Sequence, residues 1–349
     1  MLPSERDTVS RGGVPMNPDR RRLQVKGALV GVWLTLLAGC GHGPPVSLGS
    51  AGAVSSEMAN EASLKRRLAV PDDAQVVILY SGERKGELGP CGCELSPRGS
   101  LGQVEAYAHR LPYSTQLKVD AGNWLSDALG DDGRVREDMA ISNRAVLGVL
   151  SNWQALNVSF RDLPFLAEQE VFPVNAVSAN LRHPSDVLPA YRVETVGSIR
   201  VGFTGVSSWG MAHRQPEGWT QEEPIAALQR VVPTIPADVI VVLAYETGRD
   251  TRRIAREVPG VDVIVEAGAF AEVWPPMQEQ GVLWVRSVDG TRWLGELRLR
   301  VDGGLAAKDR KIEMDRTIPV DRDIRRLQLQ VEKEREQVRG ILFGTEGEK

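Results

Sequence analysis

The sequence predicts an α/β fold in which a mixed sheet is covered by helices on both faces. The runs "VVILYS" and "VIVVLAY" are continuously apolar rather than alternating, which is typical of strands buried on both faces. Helical stretches separate most of the strands, and the last apolar runs follow one another as hairpins do. The chain has 349 residues, 42% of them hydrophobic and 25% charged, which is enough for one large globular domain.

The first predicted strand lies within "QVVILYSG" and is followed by a helix and then by a second strand that ends at Asp120. Ser100 is placed to cap this helix, and Gln103 stands three residues later, as in a capping box. Pro112 ends the helix because proline cannot continue it. This alternation of strand, helix and strand supports the α/β class.

Further helices are predicted over 137–153, over 223–231 and within "GRDTRRIAREVPG". Two hairpins are also predicted, one turning at Gly197 and Ser198 and one formed by "GVLWVRSV" and "GTRWLGELRLRVDG". The tail "DIRRLQLQVEKEREQVRGIL" has the pattern of a charged helix with a thin apolar stripe. We therefore expect a folded domain over 72–318 and a C-terminal helix over 319–349.

The N-terminal region has the features of an export signal. Residues 20–26 are rich in arginine, and the apolar run "GALVGVWLTLL" that follows is too short to span a bilayer comfortably. The run ends in "LAGC", which resembles the bacterial lipoprotein signal, in which cleavage precedes Cys40 and the cysteine is then acylated. The alternative is a transmembrane anchor that contains a cysteine, and the true start, Met1 or Met16, stays open.

Lipidation of Cys40 would place the protein in the cell envelope, bound to a membrane and facing the periplasm or the cell exterior. Residues 1–39 are then the signal peptide, and 40–71, rich in Gly, Ser, Pro and Ala, form a flexible tether. The formal net charge is −4 and no concentrated basic face is visible, which argues against a nucleic-acid partner. The membrane is thus the first expected partner.

The chain has three cysteines, and lipidation of Cys40 leaves only Cys91 and Cys93, in "GELGPCGCELSPRGSLG". One interpretation is thiol redox chemistry with a redox protein partner, because a disulfide across a single residue is strained and easily reduced. A second is thiolate binding of a soft ion such as Cu(I) or Zn(II). The third is a structural disulfide, although such a short bridge removes little unfolded-state entropy.

Several segments together resemble a known family. "VVILYSGERKG", "LKVDAGNWL", "WQALNVSFRDL", "NAVSANL", "VGFTGVSS", "ADVIVVLAYETG" and "GVDVIVEAGAF" follow the order and spacing of the metallophosphoesterase domain of bacterial 5'-nucleotidases, a calcineurin-like family. The resemblance runs from about residue 75 to 300. It implies a four-layer α/β/β/α sandwich with mixed sheets and two metal ions at the carboxyl ends of its strands. The Pro-Cys-Gly-Cys segment is similar to a branch of the family in which some members carry selenocysteine.

The resemblance also assigns each metal-ligand position to a residue of this chain. The positions that normally hold Asp, His or Asn are here Glu83, Lys85, Asn123, Asn157 (followed by Val158), Tyr245, Gly268 and Phe270. The whole chain has four histidines, and none stands in these motifs. A dinuclear site needs several His and carboxylate ligands, so the resemblance implies a fold that is kept and a conventional metal site that is lost.

Two expectations follow for the chemistry. Glu83, Asp120, Asn123, Asn157 and Glu266 can form a polar cleft at the former metal site, although each taken singly is more simply a structural residue. The best remaining candidates for chemistry are Cys91 and Cys93, with no cofactor expected beyond a soft metal held by the two thiolates. The alternatives are a metal-dependent phosphoesterase or 5'-nucleotidase with atypical ligands and a non-catalytic binding lipoprotein.

Overall fold

The computed structural model describes residues 73–342 except 91–98, 113, 131, 186, 209–215, 246, 269–274 and 288–291. The predicted signal peptide, the tether and Cys40 lie outside the described residues. So do Cys91, Cys93 and Phe270.

The first sheet has six strands in the order β14-β13-β1-β2-β3-β4. Strands β1 to β4 run parallel to one another, whereas β13 is antiparallel to β1 and β14 is antiparallel to β13. The strand bounds are β1 Val76–Ser81, β2 Gln116–Asp120, β3 Ala155–Asn157, β4 Ala176–Val177, β13 Trp293–Arg300 and β14 Ala306–Glu313.

The second sheet also has six strands, in the order β11-β12-β10-β9-β7-β6. Its four central strands are parallel, and β11 and β6 are antiparallel edge strands. The bounds are β6 Tyr191–Val196, β7 Ile199–Ser207, β9 Val239–Tyr245, β10 Val263–Ala267, β11 Met277–Glu279 and β12 Val282–Arg286. Two short strands, β5 Leu181–Arg182 and β8 Thr220–Gln221, pair separately.

The helices lie on the outer faces of the two sheets. They are α1 Leu101–Ala108, α2 Glu137–Leu150, α3 Leu163–Gln169, α4 Pro224–Val231, α5 Arg249–Glu257 and α6 Arg322–Leu342. Helix α1 begins as predicted, because the Ser100 hydroxyl accepts the backbone N–H of Gln103 at 3.1 Å. The side-chain amide of Gln103 donates to the backbone carbonyls of Asp315 and Ile318. These bonds hold the segment before α6 against α1.

Three apolar layers hold these elements together, so the fold is a four-layer α/β/β/α sandwich with a C-terminal charged helix, as the sequence predicted. Alternate residues of the strands, such as Ile78 and Val119 on one sheet and Phe203 and Leu243 on the other, fill the space between the sheets. The first sheet packs its other face on α1, α2, α3 and α6. The second sheet packs its other face on α4 and α5.

One predicted hairpin is wrong. Strands β12 and β13 follow one another in the chain but lie in different sheets, since β12 pairs with β10 and β11 whereas β13 pairs with β1 and β14. The true partner, β14, has the sequence "AAKDRKIE". It forms the edge of the sheet, where polar and charged residues are tolerated, so it lacks the apolar pattern that marks a strand.

The parallel strands of both sheets end at one edge of the sandwich. This is shown by contacts between the sheets just past their ends: the Tyr245 hydroxyl of β9 bonds the Glu83 carboxylate after β1, and the Asn157 amide of β3 bonds the Val206 carbonyl of β7. Polar side chains that follow these strands are therefore gathered at one place. Within the residues that the structure describes, no helix is both long and apolar enough to cross a membrane.

Gly295→Ala is expected to destabilise the fold by roughly 1–3 kcal/mol, because a methyl group there would overlap the buried ring of Tyr80. The ring cannot move aside easily, since its hydroxyl donates to Asp309 at 2.6 Å. Urea unfolding measures the effect. Gly148→Ala is the matched control: no atom lies within 4 Å of the added carbon, in the exposed face of α2, so a gain of ~0.5–1 kcal/mol is expected. Equal effects of the two changes would contradict the packing argument.

Candidate functional site

The structure places most of the predicted ligand positions at the shared carboxyl edge of the sheets. Glu83 and Lys85 follow β1, and Asn123 follows β2. Tyr245 is the last residue of β9, and Gly268 follows β10. The sequence alignment of these motifs therefore corresponds to a common place in the fold.

The carboxylate of Glu83 is the centre of this group. Its Oε1 accepts a hydrogen bond from the Tyr245 hydroxyl at 2.5 Å, and its Oε2 accepts one from Nδ2 of Asn123 at 3.1 Å. The ammonium of Lys85 lies 3.1 Å from the same Oε2. We call Glu83, Lys85, Asn123 and Tyr245 the Glu83 cluster.

Three members of the Glu83 cluster are buried and the fourth is exposed. Tyr245, Asn123 and Glu83 are 0%, 2% and 5% exposed, whereas the side chain of Lys85 is 59% exposed. A carboxylate removed from water needs hydrogen bonds or an opposite charge to remain ionised. Tyr245 and Asn123 supply the hydrogen bonds, and Lys85 supplies the charge from the solvent side.

The backbone of this site is held in an unusual conformation. Glu83, Lys85 and Asn123 have φ angles of 59°, 55° and 57°, and they are three of the five non-glycine residues with positive φ in the described part of the chain. The left-handed conformation costs energy for side chains other than glycine and is sustained only when the surroundings impose it. Here the two loops impose it on each other: the Glu83 amide donates to Gly122 and the Lys85 amide to Asn123, both at 2.9 Å.

Two glycines allow this close approach. A Cβ at Gly122 would lie 2.9 Å from the side chain of Tyr245, and one at Gly82 would overlap the Cβ of Ala267, the residue before Gly268. Both positions therefore require the absence of a side chain. The consequence is that the loops after β1 and β2 in one sheet pack directly on the ends of β10 and β9, respectively, in the other.

Arg84, between the two cluster residues, points to the opposite side of the loop. Its guanidinium is fully buried, with Nε 3.2 Å from Asp120 and one terminal nitrogen 3.0 Å from the Ser81 hydroxyl. It also lies 5.1 Å above the ring of Trp153. Sequence reasoning missed this residue, because an arginine after a strand gives no sign that it is buried. Arg84 holds the loop after β1 in place through its contacts with Ser81 and Asp120.

The expectation that Asp120 lines the polar cleft is wrong. Its carboxylate accepts bonds from Ser81 at 2.6 Å, from Arg84 and from the Gly122 amide at 3.0 Å, beneath the helices of the first sheet. Burial raises the pKa of Asp120 and lowers that of Arg84, and their mutual attraction opposes both shifts. The physical reason is the alternation of side chains along β2, which directs Val119 between the sheets and Asp120 outward.

Glu266 is also outside the cleft, for the same reason of alternation along β10. Its carboxylate accepts Thr251 at 2.6 Å, Trp284 Nε1 at 3.0 Å and Arg286 Nε at 2.6 Å, all in the outer layer of the second sheet. It is 0% exposed and fully partnered. Its role in the fold is to join α5 to β10 and β12.

Asn157 connects the sheets but makes no bond to the Glu83 cluster. Its Nδ2 donates to the carbonyl of Ala121 at 2.9 Å and to that of Val206 at 3.0 Å. Its Oδ1 faces Gly205, where any side chain would overlap it. The asparagine is therefore a structural bridge between β3 and β7, and the following residue, Val158, is part of the apolar core.

Asp162 is a second residue that sequence reasoning missed. It accepts the backbone N–H groups of Asn123 at 3.1 Å, Leu125 at 2.9 Å and Ser159 at 2.9 Å, together with the Ser159 hydroxyl at 2.6 Å. Complete burial raises the pKa of Asp162 to about 7, and its hydrogen bonds oppose that shift. It fixes the loop that presents Asn123. The Ser159-x-x-Asp162 spacing, which resembles a capping box, was the available signal.

The architecture is shared with solved enzymes. The structure superposes on the sulfate thiohydrolase SoxB of Thermus thermophilus with a TM-score of 0.63 and 15% identity, over 77% of this chain and 62% of that one. It superposes on a 5'-nucleotidase precursor, also from Thermus thermophilus, with a TM-score of 0.61 and 19% identity, over 75% and 59% of the two chains. The fold is that of the calcineurin-like metallophosphoesterases.

The chain is also similar to part of a curated metallophosphoesterase. The uncharacterized metallophosphoesterase YunD of Bacillus subtilis is 23% identical over 158 residues, which are 44% of this chain and 34% of that protein. The chain thus spans about a third of this relative and about 60% of the two solved structures. No protein-family model matches the sequence.

The two metal ions that the resemblance implies do not fit the residues at this edge of the metallophosphoesterase fold. Within the described part of the chain, no group of three or more His, Cys, Asp and Glu residues can hold a metal ion. The Glu83 carboxylate, the one carboxylate of the cluster, accepts hydrogen bonds from the Tyr245 phenol and the Asn123 amide. It also forms an ion pair with the Lys85 ammonium at 3.1 Å. The Lys85 ammonium repels a dication that approaches the same oxygen.

Asp162→Asn is expected to remove a pH dependence of stability. The folded pKa of Asp162, about 7, is raised above the unfolded value near 3.8, so its contribution to stability is greatest below about pH 4 and is lost as the pH rises through 7. Between pH 5 and pH 8 the stability difference between wild type and variant should fall by roughly 2–3 kcal/mol, measured by urea unfolding.

Asp238→Asn is the control for this measurement. Its exposed carboxylate has a pKa lowered to about 2 by hydrogen bonds from Arg200, so it does not titrate between pH 5 and pH 8. If the difference in the free energy of unfolding between wild type and Asp162→Asn stays constant from pH 5 to pH 8, the buried Asp162 carboxyl is ionised throughout this range.

Proposed function

We propose that this protein is a lipid-anchored protein of the cell envelope that uses the metallophosphoesterase fold without two-metal hydrolysis, and that its reactive group is the Cys91/Cys93 pair. The anchor is Cys40, acylated after removal of residues 1–39. The pair acts as a redox-active dithiol, with thiolate binding of a soft metal as the second candidate activity.

The observation that carries this proposal is the Glu83 cluster. Hydrolysis by the family's chemistry requires ligands that hold dications and an activated water between them. At this edge a buried carboxylate is instead neutralised by Lys85 and bonded to Tyr245 and Asn123. The described residues at the former metal site therefore offer no route to that reaction, which leaves the thiols as the best candidates for chemistry.

The described residues on either side of the thiol segment are held in place by the folded domain. The Leu101 amide donates to the Leu88 carbonyl at 3.1 Å, so the residues before and after 89–100 lie next to each other. The Gly99 amide donates to the Met314 carbonyl at 2.9 Å. Gly89 packs on the side chain of Gln328 from α6, where a Cβ would overlap the amide. Both ends of the segment are thus fixed by the folded domain.

We propose that helix α1, which follows the thiols in the sequence, favours their ionisation. Helix α1 is capped by Ser100, seven residues after Cys93, and has no acidic residue in its first turn. The positive end of a helix dipole lowers the pKa of a neighbouring thiol, and the thiolate is the reactive form.

The proposed reaction is thiol–disulfide exchange with a partner protein. A thiolate of the pair attacks the partner's disulfide, which forms a mixed disulfide and releases one partner thiolate. The second cysteine then attacks its neighbour's sulfur and releases the other. Cys91 and Cys93 end as a disulfide, the partner ends as a dithiol, and two electrons and two protons have moved to the partner.

Two alternatives rest on other observations. The superposition on a 5'-nucleotidase and on SoxB favours a phosphoesterase with atypical ligands, but shared fold at 15–19% identity leaves the chemistry to the site residues. A non-catalytic binding lipoprotein also fits the Glu83 cluster, because that cluster has no reactive group in the open. Membership of the Pro-Cys-Gly-Cys branch is part of the proposal and is supported only by the sequence of 90–93.

The thiol proposal predicts reversible oxidation of one pair. In the Cys40→Ser chain, which retains only two cysteines, glutathione buffers of graded potential should interconvert dithiol and disulfide. We expect a midpoint more oxidising than the value of about −300 mV below which structural disulfides fall. Mass spectrometry after alkylation counts the thiols, and metal analysis is made on the same sample.

Two control variants and two diagnostic outcomes distinguish the interpretations. Cys91→Ser and Cys93→Ser must each lose the two-electron transition. A disulfide that resists reduction throughout would identify a structural bridge and contradict the redox proposal. A stoichiometric soft metal that is lost in both variants would favour thiolate binding instead.

The anchor makes a separate prediction. Expressed in a bacterial host, the wild-type chain should be recovered with the membranes and Cys40→Ser should be released or retained with its signal peptide attached. Mass spectrometry of the N-terminus checks this, because acylation adds a diacylglyceryl group to Cys40. Cys91→Ser, which should remain membrane-bound, is the matched control. Membrane recovery of the wild-type chain with an uncleaved and unacylated N-terminus would support the transmembrane alternative.

A further inference from the structure

We propose that the domain binds a phosphate ester in a basic pocket at the end of the first sheet opposite to the Glu83 cluster. The cationic residues of this basic pocket are Arg298, Arg300 and Lys308. The ligand is the headgroup of an anionic phospholipid or a soluble phosphate monoester, which share the same chemistry. The inference goes beyond the proposed function: it does not depend on the thiol pair, and the anchor bears only on the source of the phosphate.

The basic pocket forms where the hairpin of β13 and β14 meets the start of β1. Its walls are the last residues of β13, the first residues of β14, and Asp73 and Ala74, which precede β1. The small side chains of Ala306 and Ala307 on β14 leave the space open beside β13. The volume is about 210 Å³, several times the ~30 Å³ that a water molecule occupies, so a phosphate group can enter.

Strand geometry brings like charges together in the basic pocket. Arg298 and Arg300 are two residues apart on β13, so their side chains project from the same face of the sheet. Lys308 on β14 is the direct cross-strand partner of Arg298 and lies on that face too. Like charges placed directly opposite each other destabilise a sheet. A bound anion would turn this repulsion into attraction.

The carboxylates nearby do not give each cation a partner of its own. Arg298, which is 8% exposed, shares the Glu296 carboxylate with Arg310, at 2.5 Å and 2.6 Å. The side chain of Lys308 makes no hydrogen bond or ion pair with the described residues. Burial lowers the pKa of Arg298, and the charge of Arg310 lowers it further. A phosphate would supply the missing negative charge.

Arg300 has a partner that a ligand can replace. Its Nη1 donates to the Asp73 carboxylate at 2.6 Å, but the two side chains are 50% and 65% exposed. Ion pairs as exposed as this one are weak. A guanidinium can instead donate two parallel hydrogen bonds to a phosphate. The next carboxylate along the chain, Asp302, accepts the side-chain amide of Gln75 at 2.7 Å.

The position of the basic pocket favours a lipid headgroup as the source of the phosphate. Asp73 and Ala74 are the first described residues, so the pocket lies where the segment that carries the proposed anchor joins the domain. Basic residues near a membrane surface are attracted to anionic lipids. The whole chain has a net charge of −4, so such attraction requires a local basic site rather than the overall charge.

The test uses the purified full chain with Cys40→Ser, so that no acyl group holds it on a membrane. Sedimentation with phosphatidylcholine vesicles, with and without phosphatidylglycerol, measures headgroup binding, and calorimetric titration with glycerol 3-phosphate measures binding of a soluble ester. We expect saturable binding below about 1 mM in at least one of the two measurements, weakened by added NaCl. Binding only to phosphatidylglycerol vesicles identifies the headgroup, and binding of glycerol 3-phosphate identifies a soluble phosphate.

Variants made in this parent chain locate the binding. Lys308→Gln should weaken it at least about threefold, and Lys308→Gln with Arg300→Gln at least about tenfold. Asp73→Asn removes the competing carboxylate and should tighten binding about threefold, a gain that misfolding cannot imitate. The basic residues 20–26 are present in every variant, so differences between variants report the pocket.

The matched control is Lys333→Gln, which makes the same charge change at an exposed position of α6 and should bind as the parent chain does. Circular dichroism confirms that each variant is folded. The proposal would be overturned if the parent chain bound neither probe saturably. It would also be overturned if folded Lys308→Gln and Asp73→Asn bound as the parent does, or if Lys333→Gln lost as much binding as Lys308→Gln.

Discussion

Glu83 carries a carboxylate that is 5% exposed at the point where two parallel sheets end side by side, and the need to satisfy this buried charge shapes everything around it. Its partners come from three places in the chain: Lys85 from its own loop, Asn123 from the next loop and Tyr245 from the other sheet. Moving a carboxylate out of water is costly unless each oxygen is compensated. The cluster therefore ties the two sheets together at the edge where their parallel strands end.

Buried carboxylates also require polar partners on the outer face of the first sheet, where helices cover charged side chains. Glu296 is 0% exposed and accepts the Tyr107 hydroxyl at 2.5 Å, Arg298 at 2.5 Å and Arg310 at 2.6 Å. Glu105 on α1 accepts Lys118 and Trp153, both at 2.7 Å. Such buried pairs add little net stability but penalise every arrangement that separates the partners. These pairs fix the position of the helices on the sheet. Apolar contacts alone would define that position less closely.

The sequence predicted what depends on apolar pattern and local turn chemistry. The strands around Ile78 and Val242, the cap at Ser100 and the hairpin turn at Gly197 are set by residues within a few positions of each other, so a short window contains the signal. The order of motifs also placed Glu83, Asn123 and Tyr245 at one edge, because the carboxyl ends of parallel strands converge there.

What the sequence did not reveal depends on partners distant in the chain. The pairing of β13 with β1 joins residues that are far apart in the chain, such as Val76 and Leu299, and nothing near residue 293 indicates which of two sheets it enters. The outward direction of Asp120 and Glu266 follows from strand register, which a shift of one residue would reverse. The burial of Arg84 required knowing that Asp120 and Trp153 meet behind its loop.

The C-terminal helix shows how such distant contacts bear on the thiol segment. Asp138 at the start of α2 is 1% exposed and holds Arg339 of α6 at 2.9 Å, with Arg335 at 3.9 Å. This docks α6, and through Gln328 the helix packs on Gly89, one residue before the Pro-Cys-Gly-Cys segment. The contact excludes a side chain at Gly89, so the chain enters that segment along a path set by α6.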